Sequence, residues 1–309
     1  RAAAREAIKE KDPSTIATRT FARVLYGDHY LSQATTGTSK TLKSITREAV
    51  AEFHRRYFGP RQSVLTFAGD ITPSQAFELA ERFFGDWENV TEPGVHRPAP
   101  VSTPPQVVIV DQPGAVQSEI RIGQIAPVSR RDPDYPAVRL LSQIFGESFS
   151  GRLNKALRIE RGLTYGASGY FEVEREAAAF KIGTFTRTEK TTEAVTAALE
   201  EVRRLQSDPI TQDELNDARD TILGGFQMAL ETPAQIAARH WDLIVWDLPP
   251  NWYSLYLQGI AATRDPRALE TLAKEKLRPD SMAVLVVGDA EKVRPALESL
   301  GPVTSMPAE

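Results

Sequence analysis

A chain of 309 residues, 41% hydrophobic and 25% charged, can bury a real core and has the length of about two domains. Its net charge of −4, with no Lys/Arg run longer than two residues, argues against a nucleic-acid partner, which needs a concentrated basic surface. The absence of cysteine excludes disulfides, a thiolate nucleophile and a zinc–sulfur site, and the longest apolar runs, such as Met282 to Val287, are far shorter than the roughly 20 residues of a membrane span.

Residues 1–10 read as the middle of a helix with no N-cap before it, so the chain is expected to begin inside an element, as a processed or truncated product does. Helices are expected next over 14–26, 45–57 and 73–84, with a strand near 62–68. Thr72-Pro73-Ser74-Gln75 is a strong helix start, with a capping hydroxyl, Pro at the first helical position and Gln reaching back to the cap. Residues 92–106 hold five prolines and little apolar periodicity, which predicts an extended linker. Beyond it, strands are expected near 107–111, 117–125, 165–173 and 178–186. Helices are expected near 133–145, 149–160, 190–206, 211–230, 234–246, 266–276 and 290–299.

The chain repeats itself. Arg55 to Asp70 and Lys274 to Asp289 align without gaps, placing Pro60 on Pro279, Gly69 on Gly288 and Asp70 on Asp289. Upstream, Pro13, Ile16, Ala17 and Tyr26 fall on Pro233, Ile236, Ala237 and Trp246. The offsets of 219 and 220 agree, so the chain reads as two copies of one α+β domain. Each copy is expected to be a mainly antiparallel sheet with helices packed on one face. The second copy starts near residue 106, which would put the start of the first about 114 residues before Arg1. The expected division is a C-terminal half-domain over 1–91, the linker over 92–106 and a full domain over 107–309.

Chemistry-bearing residues are few. None of the four histidines, His29, His54, His96 and His240, lies three or four residues from another, so no helical His pair exists to bind zinc. No nucleophile-elbow serine or phosphate loop is present, and Gly224-Gly225 reads as a site of close helix packing. One segment, Phe149 to Tyr170, stands apart. Gly151 to Ile159 predicts a short helix, Gly162 a left-handed stop, and Leu163-Thr164-Tyr165 the start of a strand. The small residues Gly166 to Gly169 permit close approach of another backbone. Arg158 and Tyr165 can then converge on one point, a fork of donors and a hydroxyl able to hold a carbonyl and steady an oxyanion. Spacing alone leaves open a solvated helix-end cation and a core-edge aromatic.

The segment LRIERGLTYG resembles the Arg/Tyr motif of the insulinase/pitrilysin zinc peptidases, which include the mitochondrial processing peptidase and many bacterial zinc proteases. Arg158, Gly162-Leu163 and Tyr165 match that pattern in identity and spacing. The stretches DPSTIATRTFARVLYGDHY and GTSKTLKSITREAVAEFHRRYFGPRQSVLTFAGD also resemble the second half of the family's first domain. The resemblance implies a zinc-dependent endopeptidase acting on peptides in a two-domain chamber, with Arg158 and Tyr165 as its substrate- and transition-state-binding pair. It places Glu6 at the third zinc-ligand position, beside a His pair from an inverted H-x-x-E-H helix that this sequence does not contain. Glu6 alone stands open as an exposed helix carboxylate, and the repeat puts Phe226 at its counterpart, where no ligand exists. Zinc is therefore expected in the complete enzyme and not on this chain alone. The expected partners are a peptide substrate and a homo- or heterodimer with a zinc-bearing subunit. The competing expectations are a non-catalytic Arg/Tyr subunit of a heteromeric peptidase and a peptide-binding scaffold that has lost activity. By resemblance only, a periplasmic or cell-envelope location is favoured over a cytoplasmic one.

Overall fold

The computed structural model describes residues 2–88, 92, 100, 106–175 and 177–307. Apart from Glu92, Pro100 and Gln106, the expected linker lies outside them. The described strands are β1 (Val107–Asp111), β2 (Gln117–Ala126), β3 (Ala167–Val173), β4 (Ala178–Arg187), β5 (Ala283–Gly288) and β6 (Val303–Ser305). They form one sheet in the order β3-β4-β2-β5-β1-β6. The long β2/β4 ladder, the β3/β4 pair and the β2/β5 pair are antiparallel, whereas β1 runs parallel to both β5 and β6.

The described α-helices are, in chain order, α1 (Ala2–Lys9), α2 (Pro13–Tyr26), α3 (Ser39–Ser44), α4 (Arg47–Tyr57), α5 (Pro73–Phe84), α6 (Tyr135–Phe145), α7 (Arg152–Asn154), α8 (Thr191–Ser207), α9 (Gln212–Met228), α10 (Pro233–Val245), α11 (Trp252–Ala262), α12 (Pro266–Lys276) and α13 (Ala290–Leu297). The cap expected at Thr72 is present, and Thr211 and Thr232 form the same arrangement: each Thr accepts from the third backbone N–H of its helix, and Gln75, Glu214 and Gln235 answer back to the cap.

Both faces of the sheet are covered, which is why β1 and β5 read as unbroken apolar runs. Ile109, Ile120, Ile122, Phe180, Ile182, Val284 and Val286 point to the face packed by α6, α8, α12 and α13. Val108, Val110, Leu285 and Val287 point to the opposite face. The expectation of helices on one face holds for those that follow β2 in the chain. A single helix from the N-terminal segment, α2, covers the other face.

Asp12 caps α2 through a 2.8 Å bond from the Thr15 N–H, Pro13 opens it and Gly27 at φ +54 closes it. Its apolar face, Ile16, Ala17, Phe21, Val24 and Leu25, is fully buried on the sheet. Each large side chain of that face contributes roughly 1.5–3 kcal/mol. Arg121 on β2 reaches the start of the helix, donating to Ser14 Oγ at 3.2 Å and Thr18 Oγ1 at 3.5 Å.

The rest of the N-terminal segment is different. Helices α4 and α5 bury no residue, and Phe53, Phe77, Phe83 and Phe84 are exposed. The strand expected near 62–68 pairs with no strand among the described residues, because a strand needs a neighbouring backbone to complete its hydrogen bonds and none is beside it. The order helix, Pro-led 3₁₀ turn, apolar run, Gly-Asp turn and helix nonetheless occurs twice. It runs from α4 through Pro60–Gln62 to α5, and from α12 through Pro279–Ser281 and β5 to α13. Helices α2 and α10 correspond at an offset of 220, one residue longer.

Candidate functional site

The segment carrying Arg158 and Tyr165 is held by its flanks. The short helix expected over Gly151 to Ile159 is α-helical only over Arg152–Asn154 and widens to a π-helix over Lys155–Glu160, a form found frequently at functional sites. Gly162, at φ +60, supplies the predicted left-handed stop, and the Leu163 N–H returns to the Leu157 carbonyl at 2.8 Å. The strand begins later than its sequence suggests, at Ala167, so Tyr165 stands on the turn ahead of β3.

Three side chains fasten this turn. Asn154 is buried and makes a double hydrogen bond with one residue of the edge strand. Its Nδ2 donates to the Ala167 carbonyl at 2.6 Å and its Oδ1 accepts the Ala167 N–H at 2.9 Å. Thr186 Oγ1 donates to the Leu163 carbonyl at 2.6 Å, and Thr184 Oγ1 to the Gly166 carbonyl at 3.1 Å. The predicted close backbone approach occurs at Gly169, where a Cβ would lie 2.4 Å from the Phe145 ring and Gly146 bridges to the strand. Gly166 has open space instead.

Arg158 and Tyr165 line one cavity of about 360 Å³, walled by Gln117, Leu163, Phe185 and Arg187. The Tyr165 side chain is 82% exposed, so its hydroxyl is available to a ligand. Arg158 lies over the Phe149 ring, its Cζ 4.2 Å from the centroid, and pairs with no carboxylate among the described residues. A guanidinium without a carboxylate partner and lying on an aromatic face keeps hydrogen-bond donors available to an acceptor in the cavity. The sequence reading missed Asn154, Thr184 and Thr186. The available signal was an Asn inside a helical pattern, a residue type that commonly turns its side chain onto backbone groups.

Glu6 is placed otherwise. It is buried within α1, and its two carboxylate oxygens are engaged, one by Lys9 at 3.2 Å and the other by Arg19 at 2.6 Å. The hydrogen bond from Arg19 holds its carboxyl below the usual carboxylate range. The reading as an exposed helix carboxylate is thereby corrected: the helix turns Glu6 inward, toward Arg19 on α2. Among the described residues no three His, Cys, Asp or Glu side chains stand close enough to hold a metal. The residues described here therefore do not by themselves fit a zinc ion. His29 accepts the Leu31 N–H through Nδ1, His54 stacks on Phe58, and His96 lies outside the described residues. Gly224 and Gly225 do not mark close packing as expected, since a Cβ at either would meet nothing within 4 Å.

Residues 44–222 match the family described as Peptidase M16 inactive domain. An uncharacterized zinc protease of Mycobacterium tuberculosis is 22% identical over 236 residues, which are 75% of this chain and 53% of that protein. One from Bacillus subtilis is 23% identical over 229 residues, 72% of this chain and 53% of that protein. The chain thus spans about half the length of the curated relatives it matches. Among solved structures, a peptidase M16 inactive domain from Pseudomonas fluorescens superposes with a TM-score of 0.80 at 23% identity, covering 93% of this chain and 68% of that one. A chain of Complex III2 from Candida albicans superposes at 0.77 with 12% identity, covering 99% and 73%. These likenesses establish the fold.

Proposed function

Since the chain belongs to the peptidase M16 family, matching its inactive domain over residues 44–222, we propose that it supplies the substrate-clamping half of a zinc-dependent endopeptidase. The observation that carries this reading is the shared cavity of Arg158 and Tyr165, in which the guanidinium has no carboxylate partner among the described residues and the phenol is open to solvent. The zinc-protease names of the curated relatives support it.

In this reading a peptide carbonyl enters the cavity mouth. The guanidinium fork of Arg158 donates to the carbonyl oxygens of the bound chain and fixes its register. The hydroxyl of Tyr165 donates to the oxygen that gains negative charge as the carbonyl becomes tetrahedral. The strapped segment from the π-helix to β3 keeps both donors in place before the substrate arrives, so little reorganisation is needed at the transition state. Zinc and its water-activating base belong to the complete enzyme, and this chain's own part is to bind and orient. Residues 1–91 form part of the metal-side domain, 92–106 the linker between the two and 107–309 the clamping domain. The exposed apolar faces of α4 and α5 support this division, since they need a sheet to cover. A second reading makes the chain the Arg/Tyr subunit of a heteromeric peptidase; the engagement of both Glu6 oxygens by Lys9 and Arg19 favours it.

The test is turnover of a fluorogenic peptide by the complete protein and its Arg158→Ala variant. The reading expects a loss on the order of 100-fold together with weaker substrate binding. Unchanged turnover would refute it.

A further inference from the structure

A second cavity, of about 440 Å³, opens between α6, α9, α10 and α11, away from Arg158 and Tyr165. Its walls are aromatic: Tyr135, Phe226, Trp252, Tyr253 and Tyr256, with Trp252 and Tyr256 stacked at 5.1 Å. Three arginines also line it. Arg139 is paired with Glu147 at 2.6 Å, and Arg239 lies 3.7 Å from Asp242, which also accepts the Tyr253 hydroxyl at 3.2 Å. Arg130 is not paired. Its guanidinium lies over the Trp246 ring at 3.7 Å, its Nε is buried without a hydrogen-bond partner, and no carboxylate among the described residues reaches it. Gln143, only 9% exposed, also lines the cavity, and its amide makes no side-chain hydrogen bond among the described residues.

These are the marks of a site short of its ligand. Buried polar groups in folded proteins are satisfied as a rule, and here a guanidinium nitrogen beside the cavity is not. Three guanidiniums against two carboxylates leave one positive charge, which calls for a single negative charge and opposes a metal cation. One spare cation is too few for a polyphosphate, whose several charges need several partners. The aromatic walls call for a flat apolar group beside that charge. The volume lies within the usual range of small-ligand sites.

We infer that this cavity is an anion pocket for a carboxylate joined to an aromatic group, the chemistry of the terminal residue of a peptide ending in Phe or of a free aromatic acid. The carboxylate is taken by Arg130, the amide of Gln143 completes its hydrogen bonds, and the ring lies among Phe226, Trp252 and Tyr253. The offset that carries Pro13 onto Pro233 carries Glu6 onto Phe226, so an apolar ring stands in this copy where the other copy has an acid. Gly225 leaves one wall open, since nothing lies within 4 Å of the Cβ it lacks. The inference stands on the cavity's own lining and is independent of the clamping role of Arg158 and Tyr165.

The test is titration calorimetry on the complete protein with N-acetyl-phenylalanine, its amide, and a pentapeptide ending in Phe with a free or an amidated C-terminus. The free acids should bind about 10–100-fold more tightly than the amides, the range of one hydrogen-bonded charge. Tighter binding of the pentapeptide than of the amino acid assigns the pocket to peptide C-termini; equal binding assigns it to the terminal residue alone. Arg130→Gln should remove the preference for the acid. Gly225→Leu should block both probes without lowering the melting temperature, because it fills open space on a helix that gains a better helix former. Equal affinity for acid and amide, acid-selective binding retained in both variants, or no saturable binding at millimolar concentration would each overturn the proposal.

Discussion

Asn154→Ala isolates the strap that holds the Arg158/Tyr165 turn. The substitution removes two hydrogen bonds, at 2.6 and 2.9 Å, made by one buried amide to the N–H and C=O of Ala167. Each such bond is worth about 1 kcal/mol net, and a buried backbone group left without a partner costs about 1–3 kcal/mol. Asn154 and Ala167 are both buried, so water cannot replace the lost amide without opening the turn. The expected destabilisation is therefore about 2–4 kcal/mol, seen as a lower urea midpoint with an unchanged slope. At this chain length that corresponds to a fall in melting temperature of roughly 4–12 °C. Turnover of a fluorogenic peptide by the complete protein should fall as well at temperatures where the variant is folded, because Asn154 ties the π-helix that carries Arg158 to the start of β3, next to the turn that carries Tyr165. A change in stability below about 0.5 kcal/mol, with full turnover, would refute the strapping role.

Other expectations follow from the same structure. Phe21→Ala, at the buried interface of α2 with the sheet, should cost about 3–5 kcal/mol in denaturant unfolding. In residues 1–309, Phe83→Ala on exposed α5 should change stability by less than about 0.5 kcal/mol; the reverse order would contradict the placement of α2. Glu6 has its carboxyl pKa lowered by Arg19, so the stability it contributes is present above the ordinary carboxylate range and is lost as pH falls through its lowered folded value. The difference in melting temperature between the protein and Arg19→Leu should accordingly be present at neutral pH and shrink on acidification, and a pH-independent difference would contradict the pairing. Metal analysis of residues 1–309 purified without chelator should find far less than one zinc per chain, and stoichiometric zinc lost on Glu6→Ala would overturn that expectation.

What could be read from the amino-acid order follows how local each determinant is. The strand near 117–125, the Thr72 cap and the Gly162 stop are set by neighbours a few residues away, and the structure has them where they were expected. The apolar run over 62–68 carries the same local signal as β5, yet among the described residues only β5 has neighbouring strands; strand formation is a property of the pair. The place of α2 on the far face of the sheet depends on contacts with residues some 90 to 270 positions away, such as Val108 and Leu285, which no window reports. Helix α11 went unread because its apolar residues are spread around the helix, without the one-sided stripe that marks an amphipathic element. That Arg158 and Tyr165 lie near one another was legible because both are on one short segment, and they line the same cavity. The Arg130 cavity was not, because four helices build it.

The most direct measurement on the clamping role is the turnover of Tyr165→Phe in the complete protein, taken beside its melting temperature. The substitution removes one hydroxyl from a side chain that is 82% exposed, so packing is left almost untouched. If that hydroxyl donates to the developing oxyanion, turnover should fall on the order of 100-fold while the melting temperature stays unchanged. Unchanged turnover accompanied by a large fall in melting temperature would make Tyr165 a structural residue and contradict the account.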